Sequence, residues 1–184
     1  MELESFSHGQ IQSKQWLCEQ LEPYLPNAAT ICVPGSWHNV LAFMLLTRNP
    51  NKYRSIVGID VDPSVKTLAD NICQAWMISP TAIVNNVTQN ANSFNYDGYN
   101  AVINCSVEHF ESDEWFRKIN PGTIVCIQSS NVDDSGDIWK ISRPNKTYGE
   151  FVEKYPLTSY YFSGTKEITY DTGGYSRFMI IGIK

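Results

Sequence analysis

Long hydrophobic runs are missing from this sequence: none approaches the roughly 20 apolar residues that cross a bilayer, so no membrane span is expected. Met1-Glu2-Leu3-Glu4-Ser5 opens acidic and lacks both a basic start and an apolar stretch. No signal peptide is therefore expected. Basic residues are few, 14 Lys and Arg against 19 Asp and Glu for a net charge of -5, and no basic run occurs. Sequence-independent affinity for phosphates needs clustered cations, so nucleic acid is not an expected partner. Cysteines at C-x-x-C spacing are absent. The five present, Cys18, Cys32, Cys73, Cys105 and Cys126, are odd in number and widely spaced, which disfavours a zinc site and leaves no metal expected. Cys32, Cys105 and Cys126 fall within apolar runs and are expected as buried free thiols in a reducing cytoplasm. The dinucleotide fingerprint G-x-G-x-x-G is also missing, which disfavours NAD.

What remains is the composition of an ordinary globule, 42% hydrophobic, 12% aromatic and 18% charged over 184 residues. A chain of this length suits one domain, 1–184, burying roughly 70% of the surface its unfolded form exposes. Ile11, Trp16, Leu17, Leu21 and Tyr24 recur near helical spacing and predict a helix over 10–24, within an N-terminal lead-in spanning 1–28. Strands are expected over 29–33, 55–60, 82–87, 101–105 and 123–128, with helices over 37–47, 63–77 and 108–118 between them. Continuous apolar strands separated by helices predict an α/β fold, a parallel sheet with helices on both faces. The tail differs, because the strand-like runs 158–162 and 177–183 have no long helix between them and suit an antiparallel hairpin at the sheet edge. The stretch 129–146 is polar, turn-rich and long, a candidate lid or binding loop.

In open parallel sheets the ligand sits outside the carboxyl ends of the strands, where the winding reverses. That rule selects the polar loops at 34–39, 60–63, 85–88, 104–109 and 128–134. Asp60 is the sharpest candidate, since a carboxylate at a strand end accepts hydrogen bonds from both hydroxyls of a ribose; a solvated turn residue or helix cap is the plainer account. Asp62 fits better as a helix cap. Gly35, in Pro34-Gly35-Ser36-Trp37, lets backbone approach a ligand, and the helix start after it offers N–H groups to a carboxylate. The same glycine serves any strand-to-helix turn, and Trp37 suits core or pocket wall equally. Asn104-Cys105-Ser106-Val107-Glu108-His109 groups an amide, a hydroxyl, a carboxylate and an imidazole, suited to orienting a substrate and moving a proton. Capping of the next helix by Ser106 or Asn104 explains the same residues. Cys105 is disfavoured as a nucleophile, because activation needs a base or a positive neighbour. Arg177 is placed to clamp a substrate carboxylate or phosphate, or to form a surface salt bridge.

Together, Gly35-Ser36-Trp37, the segment 58–63, the segment 104–109 and Arg177-Phe178-Met179 resemble the class I S-adenosylmethionine-dependent methyltransferases over 10–184, more narrowly the small phage and bacterial proteins of that type. The resemblance implies a Rossmann-like, seven-stranded sheet, mostly parallel, whose sixth and seventh strands form the antiparallel edge. It implies S-adenosylmethionine as cofactor, with Gly35 passing close to it, Asp60 at the ribose, Asn86 and Val87 beside the adenine and Asn104 at the methionine end. Ser36, Trp37 and Val61 complete that cofactor set. Ser106 and Arg177 face the acceptor, expected to be a small molecule, and Glu108 or His109 removes its proton. The pattern departs from the family where the glycine-rich first loop is reduced to Gly35, Val33 stands where an acidic residue is common, and Asn86 replaces a frequent aspartate. A module that binds the cofactor without transferring its methyl fits those departures, and a nucleotide-sugar or dinucleotide enzyme on the same sheet is the third reading.

Overall fold

Apolar runs bounded by turn residues become strands in the computed structural model, which describes residues 4–79, 82–133, 141–171 and 173–184. Strands β1 (Ala29–Pro34), β2 (Tyr53–Asp60), β3 (Ile83–Thr88), β4 (Ala101–Asn104) and β5 (Ile124–Ser130) pair in parallel. With β6 (Ser159–Tyr170) and β7 (Gly173–Ile183) they form one seven-stranded sheet in the order β3-β2-β1-β4-β5-β7-β6. β7 runs antiparallel to both of its neighbours, which makes the tail the expected edge hairpin. The helices are α1 (His8–Leu21), α2 (Val40–Arg48), α3 (Lys66–Met77), α4 (Glu114–Arg117) and α5 (Tyr148–Lys154). No helix among the described residues is long and apolar enough to cross a membrane.

Successive strand side chains point to opposite faces, and here they divide into two cores. Ile31, Val33, Ile103, Met179 and Ile181 pack with Trp16 and Leu17 of α1 and Leu41 and Leu45 of α2. The alternate residues Cys32, Val102, Ile127, Phe178 and Ile180 pack with Trp115 and Phe116 of α4, Phe151 of α5 and Tyr155 just after it. Both faces are therefore covered, as a parallel sheet requires.

Several boundaries differ from the sequence expectation, each for a local reason. The second helix begins at Val40 instead of 37, because Trp37 and Asn39 both take φ of 50°, a left-handed conformation that no α-helix accommodates. The helix expected over 108–118 is reduced to a 3-10 turn at Val107–His109 and the short α4. Burial of Glu108, whose carbonyl accepts the Ser142 and Arg143 N–H groups at 2.9 Å, turns the chain away. The hairpin strands run much further than 158–162 and 177–183, with pairing from Ser159↔Ile183 to Tyr170↔Gly173. β6 is exposed along most of its length, so it carries little apolar alternation to read. Residues 134–140 of the stretch 129–146 lie outside the described residues; Ser129 and Ser130 belong to β5, and Asn145 Nδ2 donates to Ser129 Oγ at 2.6 Å. α5 was not expected, although Thr147-x-x-Glu150 is a capping pattern: Thr147 Oγ1 accepts from the Glu150 N–H at 3.2 Å.

Candidate functional site

From β1 the chain passes outward to β2 and β3, then crosses back to β4 on the other side of β1. This reversal leaves a crevice at the carboxyl ends of β1 and β4. A cavity of about 1240 Å³ occupies it, reached by residues from the ends of β1, β2, β4 and β5 and by the segment after β3.

Asp60, at the end of β2, organises the rim. Its Oδ2 accepts the Trp37 N–H at 2.8 Å and its Oδ1 accepts the Asp62 N–H at 3.1 Å, while the carboxylate stays half-buried on the cavity wall. The Ser36 N–H donates to the Ile59 carbonyl at 3.0 Å, so the loop after β1 is fixed to β2 at two points. Gly35 takes φ of 67°, and a Cβ there would lie 2.7 Å from the Phe110 ring, which covers it. Left-handed Trp37 and Asn39 are costly for residues other than glycine, and such strain persists only where neighbours hold it. His38 follows the turn, stacks on Trp37 at 4.7 Å and places Nδ1 3.0 Å from Ser5 Oγ. Asp62 is the cap foreseen for it, accepting the Ser64 N–H at 2.8 Å.

Beneath this rim lies a buried amide relay. Asn39 Nδ2 donates to Asn86 Oδ1 at 2.7 Å, and Asn86 Nδ2 donates to Asp70 Oδ1 at 3.0 Å. Gly58 makes room for it: a Cβ there would sit 2.6 Å from Asn39 Nδ2, 2.8 Å from Ser36 Oγ and 2.9 Å from Asn86 Oδ1. Asn86 and Val87 face a niche of about 10 Å³ beside Asp60, the room of a single water. Gln89, Asn90, Ala91 and Asn92, just past β3, line the main cavity instead. The sequence-based strand end fell one residue early and hid them.

The floor is ionic. Glu108 and Arg177 are both buried and pair at 3.1 Å through Oε1 and Nη1. Ser130 Oγ donates to the same Oε1 at 3.0 Å, and Oε2 has no hydrogen-bond partner among the described residues. Arg177 also donates from Nε to Ser13 Oγ at 3.0 Å and from Nη2 to the Cys105 carbonyl. Ser13 Oγ passes the chain on to Gln128 Oε1 at 3.0 Å. Beside them on α1, Lys14 is buried, donates to Gln10 Oε1 and lines the cavity. Burial pushes its ammonium down to about 8; Cys105 opposes the shift and Arg177 adds to it. Burial raises the Cys105 thiol, against the pull of Lys14 and Arg177, which keeps it protonated and a poor nucleophile.

Of the residues singled out from sequence, Gly35, Ser36, Trp37, Asp60, Val61, Ser106, Glu108, His109 and Arg177 meet at this cavity. Asn104 is fully buried, accepts the Ser106 N–H at 3.0 Å through Oδ1 and leaves Nδ2 without a partner among the described residues. Lys14 and Ser13 were missed, while Gln128 and Ser130 fall in the strand-end segment 128–134 that the sequence selected without assigning them roles. A signal for the first two existed: Gln10, Ser13, Lys14, Leu17 and Leu21 share one helical stripe, apolar at its C-terminal end and polar where α1 crosses the cavity.

A second ion pair, partly buried, ties the segment 141–143 to the start of α4. Arg143 Nη2 bonds Asp113 Oδ2, and Tyr155 OH donates to Asp113 Oδ1 at 2.7 Å. Burial alone would raise the Asp113 carboxyl, yet the hydrogen bonds from Arg143 and Tyr155 carry it below the ordinary value. A carboxyl lowered by folding stabilises the protein above its unfolded pKa of about 3.9, and that contribution is lost as pH falls through the folded value. Asp113→Asn is therefore expected to lose stability at pH 6 and to show a weaker acid dependence than wild type between pH 6 and pH 3 in urea unfolding. An unchanged acid slope would remove Asp113 from this role.

No protein-family model and no curated protein matches the chain. The strand order, its single reversed strand and the helices on both faces nevertheless define a class: the chain has the class I S-adenosylmethionine-dependent methyltransferase fold. Similar solved structures include the N-methyltransferase NodS from Bradyrhizobium japonicum, with TM-score 0.66 and 12% identity over 96% of this chain and 97% of that one. Coclaurine N-methyltransferase bound to N-methylheliamine and SAH gives TM-score 0.68 and 9% identity over 95% and 72% of the two chains. The [4+2]-cyclase SpnF gives TM-score 0.65 and 13% identity over 94% and 81%.

Proposed function

We propose that the chain is a methyltransferase that takes S-adenosylmethionine and acts on a small-molecule acceptor. The observation that carries this is Asp60, a carboxylate held at the end of β2 by two backbone N–H groups and open to the 1240 Å³ cavity. A carboxylate there suits paired ribose hydroxyls. Ser36, Trp37 and Val61 border the same point, and Gly35 together with Phe110 forms the wall toward β4. The adenine lies along Gln89, Asn90, Ala91 and Asn92, with Asn86 and Val87 supporting the Asp60 side from the niche beneath. Asn104 shapes the end of β4 through its bond to the Ser106 N–H.

The bound cofactor supplies an electrophilic methyl group on a sulfonium. The chain's contribution is chiefly alignment in a site screened from water. Ser106 and Arg177 border the acceptor space; Arg177 acts there by holding Glu108, since its hydrogen bonds go to Glu108, Ser13 and Cys105. Glu108, which lines the cavity, takes the acceptor's proton, and His109, exposed at the cavity mouth, carries it toward solvent.

Calorimetry with S-adenosylmethionine and S-adenosylhomocysteine tests the assignment, and no heat from either at millimolar concentration ends it. Asp60→Asn, which keeps an oxygen for the Trp37 N–H, is expected to weaken binding roughly 10-fold or more by removing a charge-assisted contact. Equal binding by the variant takes the ribose from Asp60. A second reading, cofactor binding without methyl transfer, is favoured by the Phe110 ring seated on Gly35 and by the presence of a [4+2]-cyclase among proteins of this fold. Formation of S-adenosylhomocysteine with a cell extract as acceptor source decides against it.

A further inference from the structure

Among the described residues of the cavity floor, one charged side chain lacks a charged partner. Arg177 is paired with Glu108. Lys14 is also buried, but among the described residues its one hydrogen bond goes to the neutral Gln10 and no carboxylate lies within ion-pair distance. An ammonium offers three donors, and holding one out of water without an anion is unfavourable.

We propose that Lys14 anchors the carboxylate of the cofactor's amino-acid tail and so makes the site select S-adenosyl amino acids over nucleosides that lack the tail. This rests on the methyltransferase reading. Position supports it as much as charge. Asp60 ends β2 and Cys105 follows β4, with β1 between them. Those two strand spacings amount to roughly 10 Å. A nucleoside whose ribose lies on Asp60 and whose adenine lies toward β3 directs its 5′ substituent over Gly35 toward β4, the side on which Lys14 sits with Cys105 and Arg177. Arg177 is already engaged at Nε, Nη1 and Nη2, which leaves Lys14 as the cation for an arriving anion.

The same surroundings make the contact sensitive to pH. Facing Lys14 are Cys105 from the end of β4, Arg177 from β7 with Glu108 behind it, and Cys18 one turn along α1; burial and Arg177 together leave its ammonium at about 8. Because the charged form binds the carboxylate, affinity falls as pH rises through that value.

The test uses two probes, S-adenosylhomocysteine and 5′-methylthioadenosine, titrated by calorimetry into wild type, Lys14→Met and Lys14→Arg. Wild type is expected to prefer S-adenosylhomocysteine. Lys14→Met is expected to lose roughly 10- to 100-fold in affinity for it, the size of a charged hydrogen bond, while binding methylthioadenosine as wild type does. The retained nucleoside affinity shows that the variant is folded. Lys14→Arg recovers part of the loss, and the decline from pH 7 to 9 disappears in Lys14→Met. If Lys14→Met binds S-adenosylhomocysteine as tightly as wild type, this proposal is overturned while the methyltransferase reading stands. If neither probe binds wild type, both fall.

Discussion

Arg177→Met is expected to destabilise the protein by about 3–5 kcal/mol, because it removes one partner of a buried ion pair and leaves the other charge behind. In a domain of this size that lowers the Tm by roughly 10 °C or more. Glu108 would keep only the Ser130 hydroxyl on Oε1, with Oε2 already lacking a partner among the described residues. The Cys105 carbonyl would lose the Nη2 donor, and Ser13 would lose its link from Nε. Methionine matches the arginine stem in bulk, so the effect reports the charge and not a cavity. The decisive comparison is Glu108→Gln/Arg177→Met, which removes both charges and is expected to recover a large part of the loss. A cycle showing no coupling between the two positions would mean that the pair is not what holds this floor together.

Gly58→Ala carries the second large effect, about 1–3 kcal/mol from forcing an atom into a filled space. The added methyl would meet three polar side-chain atoms, Asn39 Nδ2, Ser36 Oγ and Asn86 Oδ1, all within 2.9 Å. None can retreat alone, because Asn39 precedes α2 in a left-handed conformation, Ser36 bonds Ile59 through its backbone, and Asn86 bonds Asp70. The loop from Gly35 to Asn39 must shift, and it carries the Trp37 N–H that Asp60 holds. Loss of stability in urea unfolding is therefore expected to accompany weaker binding of S-adenosylhomocysteine. A change below about 0.5 kcal/mol, the range of an inert surface substitution, would show that the relay is slack.

Much of this architecture was legible because burial on both faces imposes a strong pattern. β1 and β4 are almost wholly buried and β2 is exposed only at Arg54, so they appear in the sequence as largely apolar runs, and their ends can be located to within a residue or two. β6 is exposed on most positions and carries no such pattern, which is why the hairpin looked shorter than it is. The site was legible in the same measure. Asp60 and Gly35 end buried strands, and the strand ends of an open sheet are where a ligand sits. Lys14 lies on a helix preceding every strand, and its relation to Cys105 and Arg177 depends on contacts far apart in sequence.

The sequence by itself determined the parallel sheet, its reversed edge and the carboxylate at the end of β2, because each follows from local alternation, turn residues and the rule that strands carry their ligands at their carboxyl ends. Only the tertiary structure decided what those residues do there. It turned Arg177 inward onto Glu108, where sequence alone left a substrate clamp or surface ion pair open. It gave Asn86 to an interior relay with Asn39 and Asp70, and among the described residues it left Lys14 without a carboxylate partner. The physical reason is that pairing of buried charges is settled by which side chains meet across the fold, and sequence spacing carries no record of that meeting.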